Sequence, residues 1–403
     1  MNVAVSNAGF AARIGRVKPS PTIAVSDKAR ELKAAGRDII NLGSGEPDFD
    51  TPQHIKDAAN DAIKRGDTKY TAVGGTAALK QAVADKLRRE NNLHYEPGQI
   101  VISTGAKQAL MNVMLSLIDD GDEVVIIAPY WVSYPDMALL AGGAPVFVRP
   151  QNPRHIAAPA ELAAALGDKT KLVILNSPSN PAGTLYSADE LRALGEVLAD
   201  YPNVAIASDD IYEHIRYDGK PFATIAEVCP QLAARTIVIN GVSKAFAMTG
   251  WRIGYCASAL PIAKAMTKVQ SQSTSNPCSI AQAAALAALE GGTECLKPML
   301  AAFDSRRRRV VAGLNSAAGL SCAPVEGAFY AFANAAQAIG KLHNDGKLPA
   351  ADDICFCNYL LEKAGVAAVP GSAFGMDGFF RISFAAPDAD IDSALQRIND
   401  ALA

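Results

Sequence analysis

A lysine that follows an apolar strand and sits among small residues can be confined. It then loses its proton more readily than in water and attacks carbonyl carbon. Lys244 has that setting. It lies in NGVSKAFAMTGWRIGY (240–255), after the apolar run TIVIN (236–240), with Arg252 eight positions on. The chemistry suggested is reversible capture of an aldehyde or ketone as a Schiff base. Taken alone, a lysine is more often a solvated surface group, so the neighbouring motifs must carry the reading. TGAKQAL (104–110) begins at a strand end and runs into a periodic helix, so Gly105 and Ala106 can turn backbone N–H groups toward a phosphate. The fork of Arg252 can add a bidentate phosphate contact. Trp131, in a Pro-Tyr-Trp step after EVVIIA (123–128), offers an indole for stacking on a flat ring, although most tryptophans serve packing.

These residues need a frame that brings them together. Between about residues 53 and 290, short β-branched runs alternate with Ala-rich stretches of 3.6-residue period, as in strand–helix units feeding a mostly parallel sheet. The strand candidates are 100–104, 123–128, 172–176, 204–208 and 236–240. Most end in polar or Gly/Pro-rich residues, at the strand C-termini where open α/β sheets bind ligands. From about residue 291 an arginine-rich helix, EGAFYAFAN, VAAVPG and FFRISFA read as a smaller α+β unit closed by a helix over 391–403. The expected division is an N-terminal tail (1–17), a large cofactor-binding domain (52–290), and a small domain built from 18–51 and 291–403. No internal repeat or low-complexity tract interrupts this plan.

Composition narrows the classes of function. At 403 residues the chain exceeds what one core usually serves, which favours two domains. A net charge of −3 supplies no basic field for nucleic acid. No apolar run approaches the ~20 residues of a membrane span. The start of the chain lacks a signal-peptide core, so a cytoplasmic protein is expected. Seven scattered cysteines fit a reducing compartment, and Cys355 and Cys357 read as free thiols rather than metal ligands. Arg306 to Arg309 spread round a helix and are expected to be solvated or paired with acids.

From about Val17 onward the sequence resembles the class I aminotransferases, in particular the bacterial aspartate aminotransferase branch of the fold type I pyridoxal-phosphate enzymes. The resemblance rests on eleven landmarks in one order. They are PSPTIAVSDKA, LGSGEPDFDTP, TKYTAVGG, TGAKQAL, APYWVSYPDM, NSPSNPAG, SDDIYEHI, the Lys244 segment, EGAFY, VPGSAFG and FRISFA. It implies an α/β fold with a mostly parallel seven-stranded sheet, helices on both faces, and a smaller α+β domain. It also implies pyridoxal 5'-phosphate held by Lys244, with amino acid and 2-oxo acid substrates exchanged in a ping-pong cycle.

The site residues follow from the same resemblance. Asp209 would keep the pyridine nitrogen protonated, making the ring an electron sink, while Asp210 beside it takes no part. Tyr212 and Asn180 would hydrogen-bond the phenolic oxygen. Gly105, Ala106, Lys107, Ser243 and Arg252 would surround the phosphate, and Tyr70 would reach it from the other subunit of a homodimer. Some members carry Ser or Thr three residues before the lysine. Here that residue is Gly241, and Ser243 is the candidate to compensate. Arg381 would fork onto the substrate α-carboxylate, with Gly45, Trp131 and Asn180 around it. Lys107 would meet the distal carboxylate of aspartate, and Lys18 matches a position linked to prephenate. Aspartate with 2-oxoglutarate is the expected pair. An aromatic or prephenate aminotransferase, or a lyase on the same fold, are the alternatives, and the unusual stretch RPQNPRHIAAPAEL (149–162) bears on that choice.

Overall fold

The computed structural model describes residues 9–403; residues 1–8 of the expected tail lie outside the described residues. The first nine strands are β1 (Ile40–Asn41), β2 (Ile100–Ser103), β3 (Glu123–Ile127), β4 (Ala144–Val148), β5 (Thr170–Asn176), β6 (Ala205–Asp209), β7 (Thr236–Gly241), β8 (Gly254–Ala257) and β9 (Ser321–Cys322). Four more follow: β10 (Tyr330–Asn334), β11 (Val366–Ala367), β12 (Val369–Pro370) and β13 (Phe379–Ser383). Seven of them form one sheet in the order β2-β8-β7-β6-β5-β3-β4. All its pairings are parallel except those of β8, which is antiparallel to both β2 and β7. The five strands expected from sequence are present, each within two residues of the expected limits, and β4 and β8 complete the sheet.

The sheet is buried on both sides, as parallel sheets are, and successive side chains feed different cores. On β5, Leu172 and Ile174 join one apolar cluster while Val173 and Leu175 join another. Helices Ala106–Leu117 and Leu260–Ser273 pack together on one side, and Pro159–Ala165 and Ala188–Ala199 pack together within the opposite cluster. Helix Ala188–Ala199 starts at a reciprocal cap between Ser187 and Glu190, which satisfies its first N–H groups. Helix Gln53–Arg65 ends at Gly66, whose φ of +77° suits the left-handed cap position.

The C-terminal part carries the four-stranded antiparallel sheet β12-β13-β10-β9 around a core rich in phenylalanine, including Phe303, Phe329, Phe356, Phe380 and Phe384. Residues 40–42 close on it. β1 pairs in parallel with β11, and the Ser383 N–H donates to the Leu42 carbonyl at 2.7 Å. The closing helix spans Asp388–Leu402. All four arginines of the 306–309 run pair with aspartates, but Arg306 and Arg307 are buried rather than solvated. Arg306 forks onto Asp48 at 2.7 and 3.0 Å, which ties helix Lys297–Ser316 to the segment after β1. Cys357 is buried, Cys355 half-buried, and all seven cysteines are unbridged. Among the described residues no helix is long and apolar enough to cross a membrane.

Candidate active site

The reversed strand explains how the site is assembled. Parallel strands deliver residues at their C-terminal ends: Gly105 and Ala106 after β2, Trp131 after β3, Asn176 at the end of β5, Asp209 at the end of β6 and Lys244 after β7. Because β8 runs the other way, the residues before it reach the same rim. Gly254 is in register with both Ser103 and Gly241. Arg252 therefore stands beside the start of helix Ala106–Leu117, on a backbone with φ of +58° that a non-glycine residue adopts at some energetic cost. Its Nη1 donates to the Thr249 carbonyl at 2.8 Å. The close approach requires glycine: a Cβ on Gly254 would collide with the Ala106 nitrogen, and one on Gly105 with the Arg252 guanidinium.

These groups face one cleft of about 300 Å³, the lower end of the range for small-ligand sites. At its base the Asp209 carboxyl, 4% exposed, accepts a 2.6 Å hydrogen bond from the Tyr134 hydroxyl. Burial pushes the Asp209 pKa up to about 6, against the pull of Tyr134, the Ile211 N–H and Lys244. Across the cleft the Lys244 amine donates to the Gly45 carbonyl at 2.6 Å. Burial, then the charges of Arg252 and Arg381, lower its pKa to about 8, while Glu46 and Asp209 oppose the shift. The two groups that define the chemistry thus titrate close to neutrality from opposite directions.

Arg381, on β13, is 2% exposed. Its Nη1 donates to Asn180 Oδ1 at 2.9 Å and its Nη2 to the Gly43 carbonyl at 2.7 Å, whereas Nε is buried without a partner. The guanidinium carries five N–H donors and these two bonds use only two of them, so the cleft-lining side chain keeps donors for an incoming carboxylate. Lys107 lies with its amine 4.8 Å from the Trp131 ring centroid; burial, then Arg252, lowers its pKa.

Of the residues singled out from sequence, Gly45, Ala106, Lys107, Trp131, Asn180 and Asp209 line this cleft. Tyr212, Ser243, Lys244, Arg252 and Arg381 line it too, and Gly105 caps the adjoining helix. Ser243 is at the wall, while a side chain at Gly241 would press on Gly254 Cα at 2.9 Å, a physical reason for glycine there. Two candidates stand apart within the single chain. Tyr70 is 92% exposed, and Lys18 is exposed, its backbone N–H 3.4 Å from Asp136.

Sequence reasoning missed four contributors. Tyr134 and Tyr330 sit inside quoted motifs, and their polar tips meet Asp209 and Tyr212. Asn176 donates to the Asp209 carbonyl at 2.8 Å and accepts from the Asn180 N–H at 2.9 Å, bracing two strand ends. Glu213, one residue past Tyr212, is buried and gathers Lys86, Asn91 and Asn240, which pins the turn carrying Asp209 and Tyr212.

The sheet order and the rim it presents are those of a fold type I transferase. The profile of the class I and II aminotransferases matches residues 37–398. The chain belongs to that family and is a transaminase. It is 55% identical to the aspartate/prephenate aminotransferase of Nitrosomonas europaea over 96% of this chain and 98% of that protein. It is 50% identical to an aspartate aminotransferase of Rhizobium meliloti, over 99% and 98% respectively. Among solved structures, an aspartate aminotransferase from Rhizobium meliloti aligns with a TM-score of 0.93 at 48% identity, covering 98% of this chain and 99% of that one. The Thermus thermophilus aspartate aminotransferase with maleate aligns with a TM-score of 0.90 at 39% identity, with the same coverage.

Proposed function

We propose that the chain is a pyridoxal 5'-phosphate-dependent transaminase of the cytoplasm that moves the amino group of aspartate to 2-oxoglutarate. The observation that carries this reading is the shared cleft of Lys244 and Asp209, walled by the buried Arg381. The residues present fit the cofactor. Gly105 and Gly254 keep clear a cradle that a Cβ would fill, between a helix N-terminus and Arg252, and this suits a phosphate. The aldehyde of the bound cofactor captures amines covalently, and its protonated ring takes up electrons released from Cα.

Each side chain then has a defined task. Asp209, held by Tyr134, carries the negative charge that keeps the ring nitrogen protonated. Tyr212 and Asn180 donate to the phenolic oxygen; Asn180 Oδ1 is already taken by Arg381, which leaves its amide N–H groups for the cleft. Ser243, Arg252 and the N–H groups of Ala106 and Lys107 hold the phosphate; the Gly105 N–H, expected there from sequence, donates instead to the Ser103 carbonyl at 2.8 Å. Arg381 binds the α-carboxylate beside Gly45, and Trp131 packs on the ring. Lys244, with a pKa near 8, is neutral often enough to accept a proton at Nζ from the Cα of a bound substrate and to release it again. Lys107 offers a second cation for a distal carboxylate, which favours aspartate. The chain works as a homodimer to which Tyr70 contributes across the interface. The division into a large domain (52–290) and a small one (18–51 and 291–403) belongs to the same reading. The names of the relatives favour prephenate as a second substrate, and Lys18, which stands apart from the cleft within one chain, is assigned to it on the sequence resemblance alone.

Lys244→Ala tests the core of the proposal: it is expected to lose the visible absorbance of the bound cofactor and nearly all activity. Retention of both excludes the mechanism. A panel of amino donors with 2-oxoglutarate ranks the substrates. In a single turnover with aspartate and no acceptor, a transaminase gives one equivalent of 2-oxo acid and no ammonia, whereas a lyase releases ammonia continuously.

A further inference from the structure

The hydroxyls of Tyr212 and Tyr330 lie 2.9 Å apart, with both side chains buried. Their rings meet edge to face, with centroids 5.9 Å apart and planes at 82°. A phenol has a single proton, so only one O–H can lie between the two oxygens. If Tyr212 donates to Tyr330, it shows the cleft only a lone pair. If Tyr330 donates, Tyr212 keeps its proton for an acceptor in the cleft.

The surroundings favour the second arrangement. The Arg381 guanidinium lies 4.4 Å from the centroid of the Tyr330 ring, and its charge strengthens Tyr330 as an acid. Burial raises the pKa of both phenols and Arg381 acts against the rise in both, while Asp209 adds to it in Tyr212. Gly45 makes room for the Tyr330 hydroxyl: a Cβ there would sit 2.7 Å from that oxygen. The charged and titratable groups around the pair are Arg381 from β13, Asp209 from β6 with its partner Tyr134, and Lys244, whose amine is 5.8 Å from the neighbouring Phe329 ring centroid.

We propose that Tyr330 is a positioning residue for Tyr212: its hydroxyl donates to Tyr212 Oη and thereby directs the Tyr212 O–H at the acceptor oxygen of the cleft ligand. This rests on the reading that Tyr212 meets the phenolic oxygen of pyridoxal phosphate. A donor to that oxygen stabilises its charge and makes the protonated nitrogen beside it more acidic. Losing the donor, or losing its aim, moves the pH midpoint of the cofactor's visible absorbance upward.

The test compares wild-type holoenzyme with Tyr330→Phe, Tyr212→Phe and the double variant in pH titrations of that absorbance, alongside steady-state kinetics. Tyr330→Phe keeps the ring under Arg381 and removes only the hydroxyl. Its midpoint is expected to rise by about half to one unit, the scale of one hydrogen bond to a charged group. Its kcat should fall about threefold to tenfold while KM for the amino donor changes less than about twofold. The double variant should titrate like Tyr212→Phe alone, because Tyr330 acts through Tyr212. An unmoved midpoint in Tyr330→Phe, or a shift that adds in full to that of Tyr212→Phe, overturns the proposal while leaving the cofactor reading intact. A wild-type protein with no visible band after incubation with pyridoxal phosphate overturns both.

Discussion

Replacing Lys244 by Met removes an ammonium from the cleft while keeping an unbranched side chain. In the cofactor-free chain burial, then Arg252 and Arg381, bring the Lys244 pKa from 10.5 down to about 8. At about 1.4 kcal/mol per unit, the whole displacement is worth about 3 kcal/mol. The side chain is only partly buried at the wall of the cleft, and water there screens the charge, which leaves roughly half, ~1.5 kcal/mol. The sign follows from proton counting. Between about pH 8 and 10.5 the unfolded chain binds more protons at this residue than the folded one, so wild-type stability rises with pH through that window. Below about pH 8 both states are protonated and the penalty is complete. Lys244→Met is therefore expected to be more stable than wild type at neutral pH by ~1.5 kcal/mol. The advantage should shrink toward zero as pH approaches 10.5. Urea denaturation of both proteins without cofactor, at several pH values across the window and with equal m-values, measures the difference. A Met variant no more stable than wild type at neutral pH refutes the desolvation argument, as does an advantage that stays constant across the window.

Asp209→Asn should relieve the opposite burial penalty. The variant is expected to be more stable than wild type above pH 6 and to converge with it below about pH 4, while kcat of the holoenzyme falls about 10²-fold or more; denaturation curves and kinetics read the two effects. Arg381→Lys keeps a charge but loses the fork, so KM for amino donors should rise about 10- to 100-fold, and unchanged KM values in initial-rate assays would contradict a carboxylate role. Gly254→Ala drives a methyl into the Ala106 nitrogen, and a pyridoxal-phosphate titration should show affinity at least about tenfold weaker. Lys86→Met leaves the Glu213 carboxylate buried without its cation, so thermal or urea denaturation should show a loss of about 3–5 kcal/mol.

The strands legible in the sequence were those whose character is local. β5 and β7 are runs of β-branched and aliphatic residues buried on both faces, a pattern visible without the fold. β8 is four residues beginning with glycine, and its reversed direction depends on β2 and β7, which flank it only in space. The same distinction runs through the site. Lys244, Asp209 and Arg381 stood out because strand ends and family motifs mark them. Tyr134 meets Asp209 across 75 positions of sequence, and nothing near Tyr134 in the chain announces it. Lys86 reads as one more solvated lysine in KLRREN, yet it is buried against Glu213, 127 positions away. Arg306 and Arg307 look like a charged helix face and turn inward because Asp48 and Asp218 wait there. Pairing that follows local pattern can be read in advance, whereas pairing set by tertiary closure cannot.

The short ladder between Ile40–Asn41 and Val366–Ala367 also sets an order of assembly. A ribosome adding ~5–20 residues per second delivers the second partner roughly 20 to 60 s after the first. Through that interval the seven-stranded sheet can be complete while the segment around Ile40 and Leu42, destined for the C-terminal core, stays uncovered. Gly45 follows that segment directly, and Arg381 arrives later still, so the carboxylate wall of the cleft is the last part to form. A nascent chain halted before Val366 would hold the Lys244 and Asp209 rim without that wall, and its sticky N-terminal stretch would be a target for chaperones and proteases.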